Sequence, residues 1–558
     1  MQEYPYEIQI KNRLYQAVSL SNNFSILKLS IMREYENMKM WKCENKRTTQ
    51  NQNKAIGQPP TATEFDIKTR VMKKLIIFWF SALFIFIACN QPSTNATDTT
   101  KDSAVASQTS AFIPTNANEK AIYSRAFNAV IWGIPAVNAE LMHESLLNAK
   151  GDFNQVVYWS GLINSKNQTL TPNPDVIYIN PFYDTRQGPV VLEIPPAEAP
   201  SSITGSVDDG WQTPLEDVGP AGVDKGKGGK YFIMPPGYKG KVPAGYIPMS
   251  SSIYTGYAIL RSNLTNGSKE DIARAVEYGK KVKIYPFSQA AKPPQTIFVD
   301  LLQTSFSNII PYDMHFYESL NSFIQREPWL TRDMVMIDQL KTIGIEKGKT
   351  FNPDARTKEI LTAAITDAHQ WIDEQYEKVF DPPFYEGTHW ALPAKSETLG
   401  PMMQNYTDPN NYPVDGKAVA YSMAYFCTKH FGVGQSYLAN IVDNTGKPFD
   451  GSKLYRLHLP ANVPVKLYWS VTVYDRQTHA LTPGMSYFSR ASTTPGIQKN
   501  ADGSVDLYFG LKAPAGKESN WVPTGPNRGF ELLARFYGPK KEFFDKTWKL
   551  PDVENLKQ

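Results

Sequence analysis

The sequence predicts an α+β protein, mainly β, in which two β-rich regions are joined by a helical segment. Three observations lead there. Forty-one prolines, 35 glycines and 12% aromatic residues favour many short strands joined by turns over long helices. From Leu170 to Pro195, LTPNPDVIYINPFYDTRQGPVVLEIP alternates β-favouring runs with Pro, Asn and Gly breaks, and the same grammar returns after residue 421. Between about Asp313 and Phe380 the apolar spacing changes to that of helices.

The chain does not begin with this folded text. Residues 1–71 are rich in Asn, Lys and Gln, carry no useful periodicity, and are expected to be a mis-called start or a disordered leader. Residues 72–89 follow with Lys73 and Lys74, an uncharged apolar run from Leu75 to Ala88, and Cys89, the order of an export signal. Phe86-Ile87-Ala88-Cys89 resembles the bacterial lipobox. The resemblance implies that Cys89 is lipidated and anchors the protein to the cell envelope, at the outer membrane or the periplasmic face. The apolar run is too short for an uncleaved span, which needs about 20 residues. Residues 90–115, rich in Ser, Thr and Ala, read as a flexible tether.

Trimming changes the charge balance. Residues 1–71 hold 11 basic and 7 acidic residues and the signal adds two lysines, so 58 and 54 become 45 and 47, a net charge of −2. No basic run remains, which excludes a nucleic-acid partner. Of three cysteines, Cys43 precedes the expected start and Cys89 is expected to be lipidated. Cys427, in an apolar and aromatic stretch, is expected to be a buried, inert thiol.

Taken in order, Glu119 to Val130 has helical spacing that stops at Gly133 and Pro135, with a second apolar patch from Leu141 to Leu147. Val190, Leu192 and Ile194 share one face of a strand, with Val191 and Glu193 on the other. GPAGVDKGKGGK lacks the Gly-Lys-Ser/Thr of a phosphate loop and the dinucleotide fingerprint. It reads as an exposed hairpin loop, and no cofactor is implied.

The motifs TPNPDVIY, GPVVLEIP, GKYFIMPPGYKG, YAILR and IGIEKGKTF, in that order, resemble the DUF1254 family, a domain of unknown function, over about Asn118 to Thr350. The resemblance implies a jelly-roll-like β domain with attached helices, placed at 116–312, and implies no reaction.

Residues 313–420 form the helical connection, its first part within the same resemblance. From Thr357 to Val379, Leu361, Ala364, Ile365, Ala368, Trp371, Ile372 and Val379 fall on one helical face. His369 and Asp373 stand four apart there, but no third ligand has a matching spacing, so no metal is expected.

From Tyr421 the motifs FDGSKLYRLHLP, YWSVTVYD, NADGSVDLYFG, SNWVPTG and FELLARFYGP resemble a second family of unknown function, DUF1214, to about Val553. The expected fold is thus two jelly-roll-like β-sandwich domains, the second at 421–553. Leu467, Trp469, Val471 and Val473 face one way in a half-buried strand, with Tyr468, Ser470, Thr472 and Tyr474 facing the other. Asn500 to Ser504 reads as a hairpin turn.

The candidate ligand-binding residues are Trp469, Tyr474, Asp475, Asn520, Trp521 and Arg535 around a groove in the second domain, with Asn173, Asp175, Tyr178 and Trp211 from the first. Aromatic faces stack on sugars or apolar ligands, and Asn, Asp and Arg give directional hydrogen bonds. Arg535, on a strand whose Phe530, Leu532, Ala534 and Phe536 take the other face, needs a partner if buried, and Asp475 is the expected one.

Catalytic templates fail: no nucleophile elbow, His-Glu-x-x-His helix or Cys-x-x-Cys pair is present. Asp208 with Asp209, and Asp175 with Glu193, are carboxylate pairs that spacing alone does not qualify. The preferred function is a lipid-anchored envelope protein that binds a small molecule, glycan or envelope component. The alternatives are a carboxylate-dependent hydrolase or lyase and a structural module that forms homo-oligomers.

Overall fold

The computed structural model describes residues 114–426, 428–430 and 434–556. The leader, the signal with Cys89, all but the last two residues of the tether, and Cys427 lie outside the described residues. Those described belong to one compact unit, Gln108–Gln558.

The unit opens with helix α1 (Ala117–Asn148), started by the Asn116 side chain, which accepts from Glu119 N at 3.0 Å. It does not stop at Gly133 and Pro135. Proline removes one helical hydrogen bond and costs about 3 kcal/mol in a free helix. Here Ala129 to His143 are buried without a break, so packing around the whole circumference outweighs that cost. Gly133 belongs to the same packing, since a Cβ there would lie 3.0 Å from Leu320 Cδ2.

The first β region follows: β1 (Gln155–Tyr158), β2 (Asn167–Gln168), β3 (Ile177–Asp184), β4 (Val190–Ile194), β5 (Ile203–Asp209), β6 (Pro214–Val218), β7 (Gly229–Met234), β8 (Tyr246–Ser250) and β9 (Thr255–Ser262). Helix α2 (Lys269–Gly279), β10 (Lys283–Pro286), β11 (Phe298–Asp300) and β12 (Phe306–Ser307) complete it. One sheet has the order β11-β1-β3-β9-β5-β6 and a second the order β10-β4-β7-β8. Their facing sides form one core, with Ile177, Ile179 and Leu260 from the first sheet and Leu192, Ile194 and Ile233 from the second. The alternation along Val190–Ile194 places these residues as the pattern predicts. The glycine-rich loop is not a hairpin, because β6 and β7 lie in different sheets. Buried Asp224 holds the crossover, accepting from Gly219 N at 2.6 Å and Gly228 N at 3.0 Å.

Helices α3 (Met314–Arg326), α4 (Met336–Thr342), α5 (Ala355–Glu377), α6 (Ser396–Met403) and α7 (Val414–Ser422) stand between the β regions in sequence and pack with α1 into a helical core. The apolar face of α5 comprises Leu361, Ala364, Ile365, Ala368 and Ile372, as the helical spacing predicts.

The second β region contains β13 (Gln435–Asn440), β14 (Leu454–Leu459), β15 (Trp469–Asp475), β16 (Ser489–Ala491), β17 (Val505–Gly510), β18 (Trp521–Pro523) and β19 (Phe530–Tyr537), then α8 (Lys541–Phe544) and β20 (Glu554–Leu556). Its sheets, β13-β19-β15-β16 and β18-β17-β14-β20, enclose Leu457, Val471, Val473, Leu507, Leu532 and Phe536. The Asn500–Ser504 turn feeds β17 from a segment outside that sheet, so it is a tight turn and not a hairpin. β15 is buried along its whole length, not half-buried. Its second face does not meet water. The outer faces of β1, β3 and β9 meet those of β15 and β19, burying Val157, Tyr178, Tyr257 and Ile259 against Tyr474 and Leu533.

Candidate functional site

Strand alternation places a polar row on each of the two faces that meet. On the first region, Ile177, Ile179, Ala258, Leu260 and Val207 point into the sandwich, so Tyr178 and Asn180 of β3, Arg261 of β9, and Ser206 and Asp208 of β5 point out of it. On the second, Leu532, Ala534 and Phe536 point inward, so Leu533 and Arg535 of β19 point outward, as does Tyr437 of β13. The two rows enclose a cavity of about 50 Å³, closed along one side by 169–173 and 424–426.

Three side chains of this lining are almost fully buried and carry polar atoms without a partner. They are both carboxyl oxygens of Asp208 (1% exposed), Oδ1 of Asn180 (6%) and Nε1 of Trp159 (1%). Asp208 follows an irregularity in the β5–β6 pairing between Val207 and Asp208, and its main-chain carbonyl accepts from Tyr183 Oη at 3.2 Å. Gly256 makes this approach possible, because a Cβ there would collide with the Asp208 carbonyl and the Tyr183 phenol. Burial, then the neighbouring Asp217 and Asp209, push the Asp208 carboxyl well above the usual range, against the pull of Arg261. Asp208 therefore holds its proton to higher pH than an ordinary carboxyl.

The two arginines differ. Arg535, 2% exposed, donates to Thr472 Oγ1 at 2.8 Å, the Thr171 and Pro172 carbonyls at 2.8 and 3.3 Å, and Tyr474 Oη at 2.5 Å. Arg261 stands over the Tyr178 ring at 5.6 Å, and its Nε has no partner. Burial opposes the charge on both, but surrounding phenol oxygens favour it and both remain cations.

The structure disperses the ten residues selected from sequence. Asn173, Tyr178 and Arg535 line the cavity. Asp175 and Tyr474 flank it: Asp175 Oδ1 accepts from Ser489 Oγ at 2.7 Å, and Tyr474 Oη donates to the Pro172 carbonyl at 2.5 Å. Burial raises the Asp175 carboxyl, against hydrogen bonding from Ser489 and the field of Arg535. Trp211 lies in the helical core against Trp132, centroids 4.6 Å apart, and Trp469 in the second sandwich core. Asn520 ties loops together through Gln498 and the Asp506 carbonyl, while Trp521 Nε1 donates to the Gly510 carbonyl at 2.8 Å. These residues do not form one groove.

The pairing expected from sequence is replaced, and a candidate carboxylate pair is not brought together. Asp475 does not meet Arg535; its Oδ2 accepts from Arg528 at 2.6 Å and its Oδ1 from the Gln477 and Thr478 amides. Asp175 and Glu193 have no partner in common, as Glu193 lies with Lys230, Lys283 and Tyr285. Asp209 caps the amides of Trp211 and Thr213. His369 stacks on Tyr312 at 3.6 Å with Asp373 3.6 Å away, and no group of three metal-ligating side chains occurs among the described residues. No helix among them is long and apolar enough to cross a membrane. Sequence reasoning missed Arg261, Asn180 and Trp159. The signal for Arg261 was its place in YAILR, on the face opposite Ala258 and Leu260.

Two family models match the chain, both described as proteins of unknown function: DUF1254 over residues 153–286 and DUF1214 over 434–541. A comparison with curated proteins gives no match. Among solved structures, the crystal structure of the VPA0106 protein from Vibrio parahaemolyticus superposes with a TM-score of 0.50 at 18% identity, over 78% of this chain and all of that one. The likeness is one of fold. An uncharacterised protein from Burkholderia cenocepacia gives a TM-score of 0.36 at 8% identity, over 79% of this chain and 94% of its own.

Proposed function

We propose that this protein, which carries a DUF1254 domain followed by a DUF1214 domain, is a lipid-anchored envelope protein that binds a small polar molecule in the cavity between its two β regions. The supporting observation is the set of unpartnered polar atoms of Asp208, Asn180 and Trp159 turned into that space. A buried polar atom without a partner costs about 1–3 kcal/mol, so three such side chains in one cavity call for a polar occupant. The volume suits a small molecule or the polar head of a larger one. Hydrolytic chemistry with paired carboxylates fits less well, because among the described residues Asp208 is the one acidic side chain in the lining.

The binding claim is tested on the full chain in detergent, by thermal melting against a panel of small polar metabolites. A ligand should raise the melting temperature of the wild type, as binding to the folded state alone requires. Trp159→Phe and Asn180→Leu should abolish that rise. A panel without effect, or a ligand indifferent to both substitutions, rejects the cavity as the site.

The anchor rests on Lys73, Lys74 and the apolar run ending at Cys89. Mass spectrometry of the protein from cells should find Cys89 as the acylated first residue. An unmodified Cys89 overturns the anchor and leaves the cavity untouched.

A further inference from the structure

The cavity lining carries positive charge from both β regions. Among the described residues of the lining, each β region contributes one guanidinium, Arg261 from β9 and Arg535 from β19, against the single carboxyl of Asp208. The acceptors of Arg535 are all uncharged; the buried carboxyl of Asp175, which is not part of the lining, feels both Arg535 and Arg490. Arg261 keeps an unpartnered Nε, and Trp159 Nε1, which can only donate, is unpartnered as well.

Building on the binding role assigned above, we infer that the cavity takes a small oxyanion, a carboxylate or phosphate group, held by Arg261 and Trp159 Nε1 with Arg535 behind them as a fixed charge. The planar fork of arginine matches two oxygens of such a group, and its hydrogen bonds to an anion are about twice as strong as those between neutral groups. A volume of about 50 Å³ amounts to about four water-sized positions, which suits an oxyanion and is small for a sugar ring.

Asp208 fits this occupant. The groups facing it are Asp209 beside it, Asp217 on β6, Arg261 on β9, and the phenols of Tyr183 and Tyr257. In its neutral form its O–H donates to an anion; once ionised it repels one. Binding should be strongest while Asp208 is protonated and should weaken as pH rises through its elevated pKa.

Calorimetry on the full chain in detergent separates the outcomes, using acetate, inorganic phosphate, neutral acetamide and cationic methylammonium across a pH series from about 5 to about 9. Acetate or phosphate should bind at least about tenfold tighter than acetamide or methylammonium, and preference between the two anions identifies the group. Arg261→Lys, with circular dichroism unchanged, should weaken that binding at least about tenfold. Asp208→Asn should retain it and flatten its pH dependence. Acetamide or methylammonium binding as tightly as the anions, or Arg261→Lys without effect, overturns the oxyanion. If Trp159→Phe still abolishes whatever binds, the cavity survives as a site for another class of ligand. Silence from all four probes, with no metabolite stabilising the protein, rejects both.

Discussion

Arg535 is a buried cation whose hydrogen bonds all go to uncharged oxygens. Its expected partner, Asp475, is excluded by register: across β15 and β19 Ser470 lies opposite Arg535, and Asp475 lies opposite Phe530. Five residues of strand separate them, roughly 17 Å at 3.3 to 3.4 Å per residue. Sequence fixes which residues share a face but not how two strands slide past each other, so the pairing was out of reach before the ladder was known. The two sites should therefore be energetically independent. Arg535→Met strips the donor from the Thr171 and Pro172 carbonyls and from Thr472, and should destabilise by about 3 kcal/mol. Asp475→Asn, which weakens a half-exposed ion pair and a turn cap, should cost about 1 kcal/mol. Urea unfolding of the double variant should equal the sum of the singles within about 0.5 kcal/mol; a coupling energy above about 1 kcal/mol would show that the two side chains do interact.

At the scale of elements, periodicity was most legible where each side of an element meets one kind of surroundings. Val190, Leu192 and Ile194 on β4, the face of α5, and Phe530, Leu532, Ala534 and Phe536 on β19 all pack as their spacing predicts. It failed at Gly133 and Pro135 of α1, and it did not show that the second face of β15 is buried. Helix α1 runs through Gly133 and Pro135 because its surroundings are protein on every side, and buried Gln212 fastens it there. Gln212 Nε2 donates to the Pro135 carbonyl and to Asn138 Oδ1, both at 3.1 Å, while its Oε1 accepts from Tyr257 Oη. None of those contacts is local in sequence. The cavity was partly legible for the same reason. Tyr178 and Arg535 drew notice as aromatic and polar residues at strand positions, and Asn173 as a polar residue in the loop before β3. Asn180 and Arg261 were not singled out, because a polar strand face turned to another sheet carries the same alternation as one turned to water.

At the scale of the molecule, the matched families occupy separate stretches of sequence and each sandwich has its own core, but a further cluster belongs to both. Tyr178, Tyr257 and Ile259 from the DUF1254 region share one apolar cluster with Tyr474, Leu481, Phe488 and Leu533 from the DUF1214 region. The helical core adds a further bond, since Tyr376 of α5 donates to Glu531 of β19 at 3.0 Å. A DUF1214 fragment starting at residue 434 would turn Tyr474, Phe488 and Leu533 to water, along with Arg535 without its Thr171 and Pro172 acceptors. Each large apolar side chain so exposed forfeits about 1.5–3 kcal/mol, which consumes much of the 5–15 kcal/mol that stabilises an ordinary domain. The two regions should therefore unfold together. Urea unfolding followed by tryptophan fluorescence, with tryptophans in both regions, should coincide with the loss of far-ultraviolet circular dichroism in one transition. The isolated fragment should bind a hydrophobic dye. Two resolved transitions, or a soluble fragment that excludes the dye, would show that the shared cluster is a contact between independent domains, and that the cavity between them can open without unfolding either.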